Sequence, residues 1–227
     1  MTKSNDKFTE VLYSNTPITT YPYTMNFDNT NGGWVSRTTD AKRLFKLDTI
    51  PYLNGSQGNN KGWYLEVPVD GSGDVWVESP VFNISGMLNP MLSMDIKYKL
   101  SGSNNKVLMQ YTTNGGASWT TLGSGDDPQW FNSKTYSSWN DNYANPVASW
   151  TKVQHNLCPI NGQTCVKFRI ATQSMYYNKD RAWFAFDNFK IEDMTDEKLR
   201  NDFKSIKAQN VKLRDEIKRL REINKKP

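Results

Sequence analysis

The hydrophobic pattern of the chain changes period near Glu192. Upstream, short alternating runs rich in Trp, Tyr and Phe are separated by clusters of Gly, Asn, Asp and Ser, the punctuation of an all-β chain. Downstream, from Leu199 to Asn224, apolar residues recur every third and fourth position, the period of an amphipathic helix. The alternation predicts strands over Thr24–Phe27, Trp34–Arg37, Leu44–Leu47, Trp63–Val67, Val75–Ile84, Met91–Leu100, Val107–Thr113, Ser118–Leu122, Trp150–Leu157, Cys165–Ser174 and Ala182–Ile191. The expected organisation is an arm over residues 1–22, a β domain over 23–192 and a helix over 193–227.

Two local patterns sharpen the β reading. Asn114-Gly115-Gly116 between Tyr111 and Trp119 predicts a hairpin, because Asn and Gly tolerate the positive φ that tight hairpins need. Ser93, Asp95, Lys97 and Lys99 alternate with Met94, Ile96, Tyr98 and Leu100, the pattern of a strand with one wet and one dry face. Many antiparallel strands in a domain of this size predict a two-sheet antiparallel jelly-roll sandwich. The fold class is therefore mainly β, with a C-terminal α-helical coiled coil. The longest irregular stretch, Gly123 to Ser149, holds Trp130, Phe131, Tyr136, Trp139 and Tyr143; loops of this length are usually functional or pack as lids.

The helix starts with Asp193, Asp196 and Glu197, favourable at a helix N-terminus. A heptad register places Leu199, Ile206, Leu213 and Leu220 at d and Phe203, Asn210, Ile217 and Asn224 at a. Such a narrow seam with charged flanks suits helix–helix pairing better than packing on a sheet, although folding back onto the sandwich is the alternative. In a parallel pair, Asp202 meets Lys207 and Glu216 meets Arg221, opposite charges both times. Asn210 leans towards dimers, whereas Phe203 at a and Ile206 at d leave a trimer open. Self-association through Leu199, Phe203, Ile206, Asn210, Leu213, Ile217 and Leu220 is the expectation.

Composition narrows the function. Aromatics make up 13% of the 227 residues, enough for a substantial core. The net charge of +5 divides into +3 for residues 192–227 (11 Lys/Arg, 8 Asp/Glu) and +2 for the rest, too diffuse for a nucleic-acid surface. No run reaches the ~18 apolar residues of a membrane span, and the first residues lack the apolar core of a signal peptide. Either export by that route is absent or a leader lies outside this sequence. Cys158 and Cys165 flank Pro159, Asn161 and Gly162, a turn that would bring them together. A disulfide closing so short a loop would contribute about 2 kcal/mol, and two reduced thiols are the alternative. His155 is the one histidine, and the chain has no Gly-x-Ser-x-Gly elbow or phosphate loop, so no catalytic set is expected.

Five pieces carry a resemblance. They are Asn26-Phe27-Asp28 with Gly33-Trp34, then Glu78-Ser79-Pro80-Val81-Phe82-Asn83-Ile84-Ser85, then Gln110 through Trp119, then Val166-Lys167-Phe168-Arg169, and last Ala185-Phe186-Asp187-Asn188-Phe189-Lys190-Ile191. In order and spacing over residues 23–191 the chain resembles the MAM-like, cleaved-adhesin jelly-roll domains of Bacteroidetes surface proteins. The resemblance implies adhesion rather than catalysis. It also implies a structural Ca²⁺ where the first and last strands meet, with Asp28 and Asp187 on the matching positions; the alternative is that both carboxylates bond backbone amides at strand ends. The helical tail departs from the family setting and fits a virion protein.

Exposed aromatics can stack on sugar rings, which nominates Trp130, Tyr136, Trp139 and Tyr143 as ligand-binding residues; alternatively they pin the loop to the sandwich. The expected function is a non-enzymatic adhesion head for a cell-surface glycan or protein, multimerised by a parallel dimeric or trimeric coiled coil, with no nucleic acid and no membrane insertion. The expected place is a virion surface, as a phage fibre or spike in contact with other virion proteins, or the extracellular space. A purely structural virion decoration, or an accessory domain of a secreted bacterial protein, are the alternatives.

Overall fold

The computed structural model describes residues 16–39, 44–49, 61–66, 74–100, 105–140, 147–173, 182–194 and 196–223. The strands are β1 (Tyr23–Met25), β2 (Val35–Thr38), β3 (Lys46–Thr49), β4 (Lys61–Glu66), β5 (Val75–Glu78), β6 (Pro90–Lys99), β7 (Lys106–Thr112), β8 (Thr120–Thr121), β9 (Val147–Asn156), β10 (Lys167–Gln173) and β11 (Trp183–Asp193), followed by helix α1 (Asp196–Ile223). Each falls on a predicted run, with ends shifted by one to four residues, and Val75–Ile84 shortens to β5 plus an isolated bridge at Phe82.

Among the described residues the strands form two antiparallel sheets packed as a sandwich. One runs β3-β4-β11-β6-β9, with β1 on the far part of β11; the other runs β2-β5-β10-β7-β8. Apart from the β3–β4 and β7–β8 pairs, consecutive strands fall in different sheets, and the pairing is mostly long-range. The hairpin falls where Asn114-Gly115-Gly116 predicts it. Gln110 and Tyr111 pair with Thr121 and Thr120, and Gly115 and Gly116 take φ of 74° and 101°.

The inward-facing positions form one core. Trp34 lies at its centre, with Phe27, Phe186 and Phe189 at ring-centroid distances of 5.8, 5.6 and 4.8 Å. On β6, Met94, Ile96, Tyr98 and Leu100 are buried, while Asp95, Lys97 and Lys99 reach the surface. Part of the expected arm belongs to this body: Ile18 donates its N–H to Val81 O and accepts from Asn83 N, and the Tyr21 hydroxyl donates to Asn83 O. Residues 1–15 lie outside the described residues.

No disulfide joins Cys158 and Cys165; both are free and exposed. The turn expected between them is not a hairpin. β9 belongs to one sheet and β10 to the other, so the segment crosses between sheets through a 3-10 turn at Cys158–Ile160. Cross-strand pairing therefore does not set the two thiols side by side.

Helix α1 is one uninterrupted element of 28 residues. Every side chain from Leu199 to Arg221 is exposed, Phe203 at 69% and Leu213 at 61%. Asp202, Ser205 and Ile206 share a shallow groove with Gln129, Lys152 and Gln154, yet Ile206 remains 46% exposed. The sandwich therefore does not cover the apolar stripe.

Candidate functional site

The long loop after β8 places its aromatics in two different environments. Trp130, Phe131 and Trp139 are all buried. Their centroids lie 4.8–5.4 Å apart, and Trp139 lies 5.8 Å from Phe184 in the core. Both indole N–H groups are used internally: Trp130 donates to Leu122 O at 2.7 Å and Trp139 to Trp130 O at 3.0 Å. The main chain of Trp139 also pairs with Val107 on the edge of β7. These tryptophans pin the loop to the sandwich, and the expectation of a stacking platform at Trp130 and Trp139 is corrected, because a buried indole offers no face to a ligand. Tyr136 stays 44% exposed, with the Lys106 ammonium 3.5 Å from its ring centre. Tyr143 lies outside the described residues.

The same loop is tied at its base by His155. Its Nε2 lies 3.2 Å from Asp127 Oδ2, and its ring centre lies 5.1 Å from that of Trp130, tilted by 48°. Gly123, at φ 80°, leaves room for this contact, since a Cβ there would run into the imidazole. The Ser124 N–H, and then His155, hold the Asp127 carboxyl below the usual aspartate range. The histidine thus has a structural role.

The two carboxylates expected to hold calcium sit at one end of the larger sheet. Asp28 Oδ1 accepts from Lys61 N at the start of β4, and Oδ2 accepts from Asn26 Nδ2 at 2.7 Å. There β11 bulges between Asp187 and Lys190, with Asn188 at φ 51°. Asp187 is buried beside Asp95, and its Oδ1 accepts from Asn188 N at 2.7 Å. Among the described residues no three His, Cys, Asp or Glu stand close enough to share a metal ion. Two carboxylates supply fewer oxygens than the six to eight that Ca²⁺ takes.

A different surface gathers aromatic and polar groups. On β5, Val75 and Val77 point into the core, which turns Trp76 and Glu78 outward; on β10, Phe168 and Ile170 point inward, which turns Lys167 and Arg169 outward. The register sets Arg169 between Glu78 and Gln110 and Ala171 beside Trp76. Trp119, just past the hairpin, closes over this row. The Arg169 guanidinium lies 4.4 Å from the Trp119 ring and 5.5 Å from the Trp76 ring, and its Nε donates to Gln110 Oε1 at 2.8 Å. Glu78 takes the Trp76 indole N–H at 2.7 Å and the Lys167 ammonium at 2.8 Å, with Arg37 at 3.4 Å.

The charges on this face respond to each other. Burial alone would raise Glu78, but the hydrogen bonds from Lys167 and Trp76 and the charges of Lys167 and Arg37 outweigh it and hold its carboxyl below the usual range. Burial pushes the Arg169 guanidinium below its ordinary value, against the pull of Glu78 and Asp74. Trp76, Trp119 and Arg169 all remain partly exposed. None of these side chains was among the expected binding residues. The signal was present in Val75-Trp76-Val77-Glu78: a Trp in phase with a charged residue belongs to the outer face.

No protein-family profile matches the chain, and no curated protein matches it in sequence. Among solved structures, the chain is similar to the K1 cleaved adhesin domain of Lys-gingipain from Porphyromonas gingivalis, at 12% identity and TM-score 0.45, over 75% of this chain and 97% of that one. It is also similar to the CBM22-1 xylan-binding domain from Paenibacillus barcinonensis, at 10% identity and TM-score 0.46, over 75% of this chain and 92% of that one. A third is the glycoside hydrolase domain of Endo-D from Streptococcus pneumoniae, at 16% identity and TM-score 0.44 over 70% of this chain; the chain spans 21% of that protein's length.

Proposed function

We propose that the protein is a non-enzymatic adhesion head that binds a surface glycan through the outward face of its five-stranded sheet. The observation that carries this reading is the joining of Trp76, Trp119 and Arg169 with Glu78 and Gln110 on one face. Indole surface complements the C–H face of a pyranose, and the fixed polar groups around it can orient sugar hydroxyls. Tyr136, beside Lys106, extends the same face, since Lys106 is in phase with Gln110 along β7.

In this reading α1 forms a parallel coiled coil, a dimer or trimer, that places all heads at one end. Weak contacts then act together, and avidity exceeds single-site affinity by ~10²–10⁴ when the geometry allows simultaneous binding. A phage fibre or spike, contacting other virion proteins, is the setting in which we place such an assembly, with a jelly-roll head of cleaved-adhesin type. Calcium at Asp28 and Asp187 belongs to this reading only as a stabilising ion, and an equal melting temperature in calcium and in EDTA would remove it.

The test is a glycan array probed with the full chain, with Trp76→Ala and Trp119→Ala beside it. Retention on a defined set of glycans, lost in both variants while their melting curves stay cooperative, supports the reading. Binding that survives both substitutions moves the site elsewhere, and no glycan retained at all overturns it.

A further inference from the structure

Arg169 differs from an ordinary surface arginine. Its side chain is half-buried and lies against two indole rings. Its Nε is taken by Gln110, and among the described residues its terminal amino groups have no hydrogen-bond partner. Glu78, the neighbouring acid, is committed to Trp76, Lys167 and Arg37. Two N–H-bearing nitrogens of a planar fork are therefore held in place, partly desolvated and open. A guanidinium fork matches a carboxylate through two parallel N–H···O bonds, and pre-ordering the fork removes much of the entropy loss on binding.

The charge around the fork is mixed but net positive, since Glu78 and Asp74 face more cations than they balance. Arg37, Lys167 and Arg169 face outward beside Glu78, with Lys106 further along β7. A neutral sugar would leave that excess uncompensated. We infer that the sheet face takes an acidic glycan, with the carboxylate of a uronic- or sialic-type sugar bidentate on Arg169 and its ring against Trp119. This inference rests on the glycan-binding reading above and specifies the ligand class for the same face.

The experiment uses the full chain in calorimetric titrations with acidic oligosaccharides (sialyllactose, oligogalacturonate, hyaluronan fragments) and with the carboxyl-reduced form of each. The reduced forms keep the rings and hydroxyls and lose the charge. Loss of one bidentate charge-assisted pair is expected to weaken binding about tenfold or more. Arg169→Lys keeps the charge and removes the fork, so it should narrow the gap between acidic and reduced forms. Trp119→Ala should weaken both forms alike. Gln110→Glu gives Arg169 an internal carboxylate and should also lower acid binding, which keeps the test decisive if Arg169→Lys fails to fold. Equal affinity of the intact protein for acidic and reduced forms overturns the inference and leaves the glycan reading standing. No affinity for acidic, reduced or neutral glycans overturns both.

Discussion

Glu78 shows how much one outward side chain can organise. It is 9% exposed, yet it is ionised because Lys167 and the Trp76 indole N–H donate to it and Arg37 adds a second positive charge. An amide in its place keeps one acceptor oxygen but sets an NH2 donor against either Lys167 or the indole N–H. Glu78→Gln is expected to lower the unfolding free energy at pH 7 by about 1–3 kcal/mol, the range for a lost charged hydrogen bond. Because the folded-state pKa is depressed, this contribution is present above the ordinary glutamate range and disappears as pH falls through the lower folded value. Urea titrations at pH 7 and at successively lower pH check this: the gap between wild type and variant should narrow as pH falls below the ordinary glutamate range, and a gap that stays constant would sink the argument. Residue-scale signals were only partly legible in the sequence. Trp34 and Phe186 were readable as core because they stand in phase with other apolar residues. Trp76 was readable as outward for the converse reason, but a tryptophan in an apolar run looks like core until its strand is paired.

Among the elements, the loop from Gly123 to Asn140 behaves as part of the core rather than as a lid. Its composition, aromatic residues among Asp, Asn and Ser, does not say which way each ring turns, and burial divides them: Trp139 is 1% exposed and Tyr136 44%. Trp139→Ala is expected to cost about 3–5 kcal/mol, as for other large core deletions. Tyr136→Ala should leave stability within about 0.5 kcal/mol, as for other surface changes, and alter only glycan retention. Chemical denaturation of the two variants separates these outcomes, and similar losses in both would contradict the division. The base of the loop responds to acid. Asp127, lowered by the Ser124 N–H and His155, keeps its charge below the usual aspartate range, so its contacts hold as pH falls until that lower value is passed and are then lost. Asp127→Asn should speed amide exchange at residues 123–132 at neutral pH, and unchanged exchange there would show that the clamp does not restrain the loop. The strands were legible because alternation and turn residues are local. Their order in two sheets was not, since pairs such as Arg169 with Glu78 lie 91 positions apart and depend on which core forms.

For the whole molecule, the decisive feature is a helix whose apolar stripe the described part of the sandwich leaves mostly exposed. A 28-residue helix spans about 42 Å, and an isolated helix of uncovered apolar residues is marginal in water. Phe203, Ile206, Leu213, Ile217 and Leu220 are each 41–69% exposed on one stripe, so among the described residues the stripe is left largely uncovered. In the proposed parallel coiled coil a second copy would supply the matching seam, with Asp202 against Lys207 of the partner helix. Glu216 is already engaged by Arg219 on its own helix, through two bonds of 3.0 Å, so its pairing across the seam competes with that contact. Replacing Leu213 and Leu220 together by Lys puts charges at adjacent d positions, away from the groove that Ile206 shares with the sandwich. Light scattering should then report a drop from a multimer to a single chain, with the near-ultraviolet signal of the tryptophan core unchanged. Retention on a dense glycan surface should fall by at least the lower end of the avidity range, about 10²-fold, while titration with a monovalent sugar in solution stays the same. A wild-type chain that is already monomeric would remove the coiled coil from this account, and with it the need for many heads; the sheet face would then have to supply the whole affinity by itself.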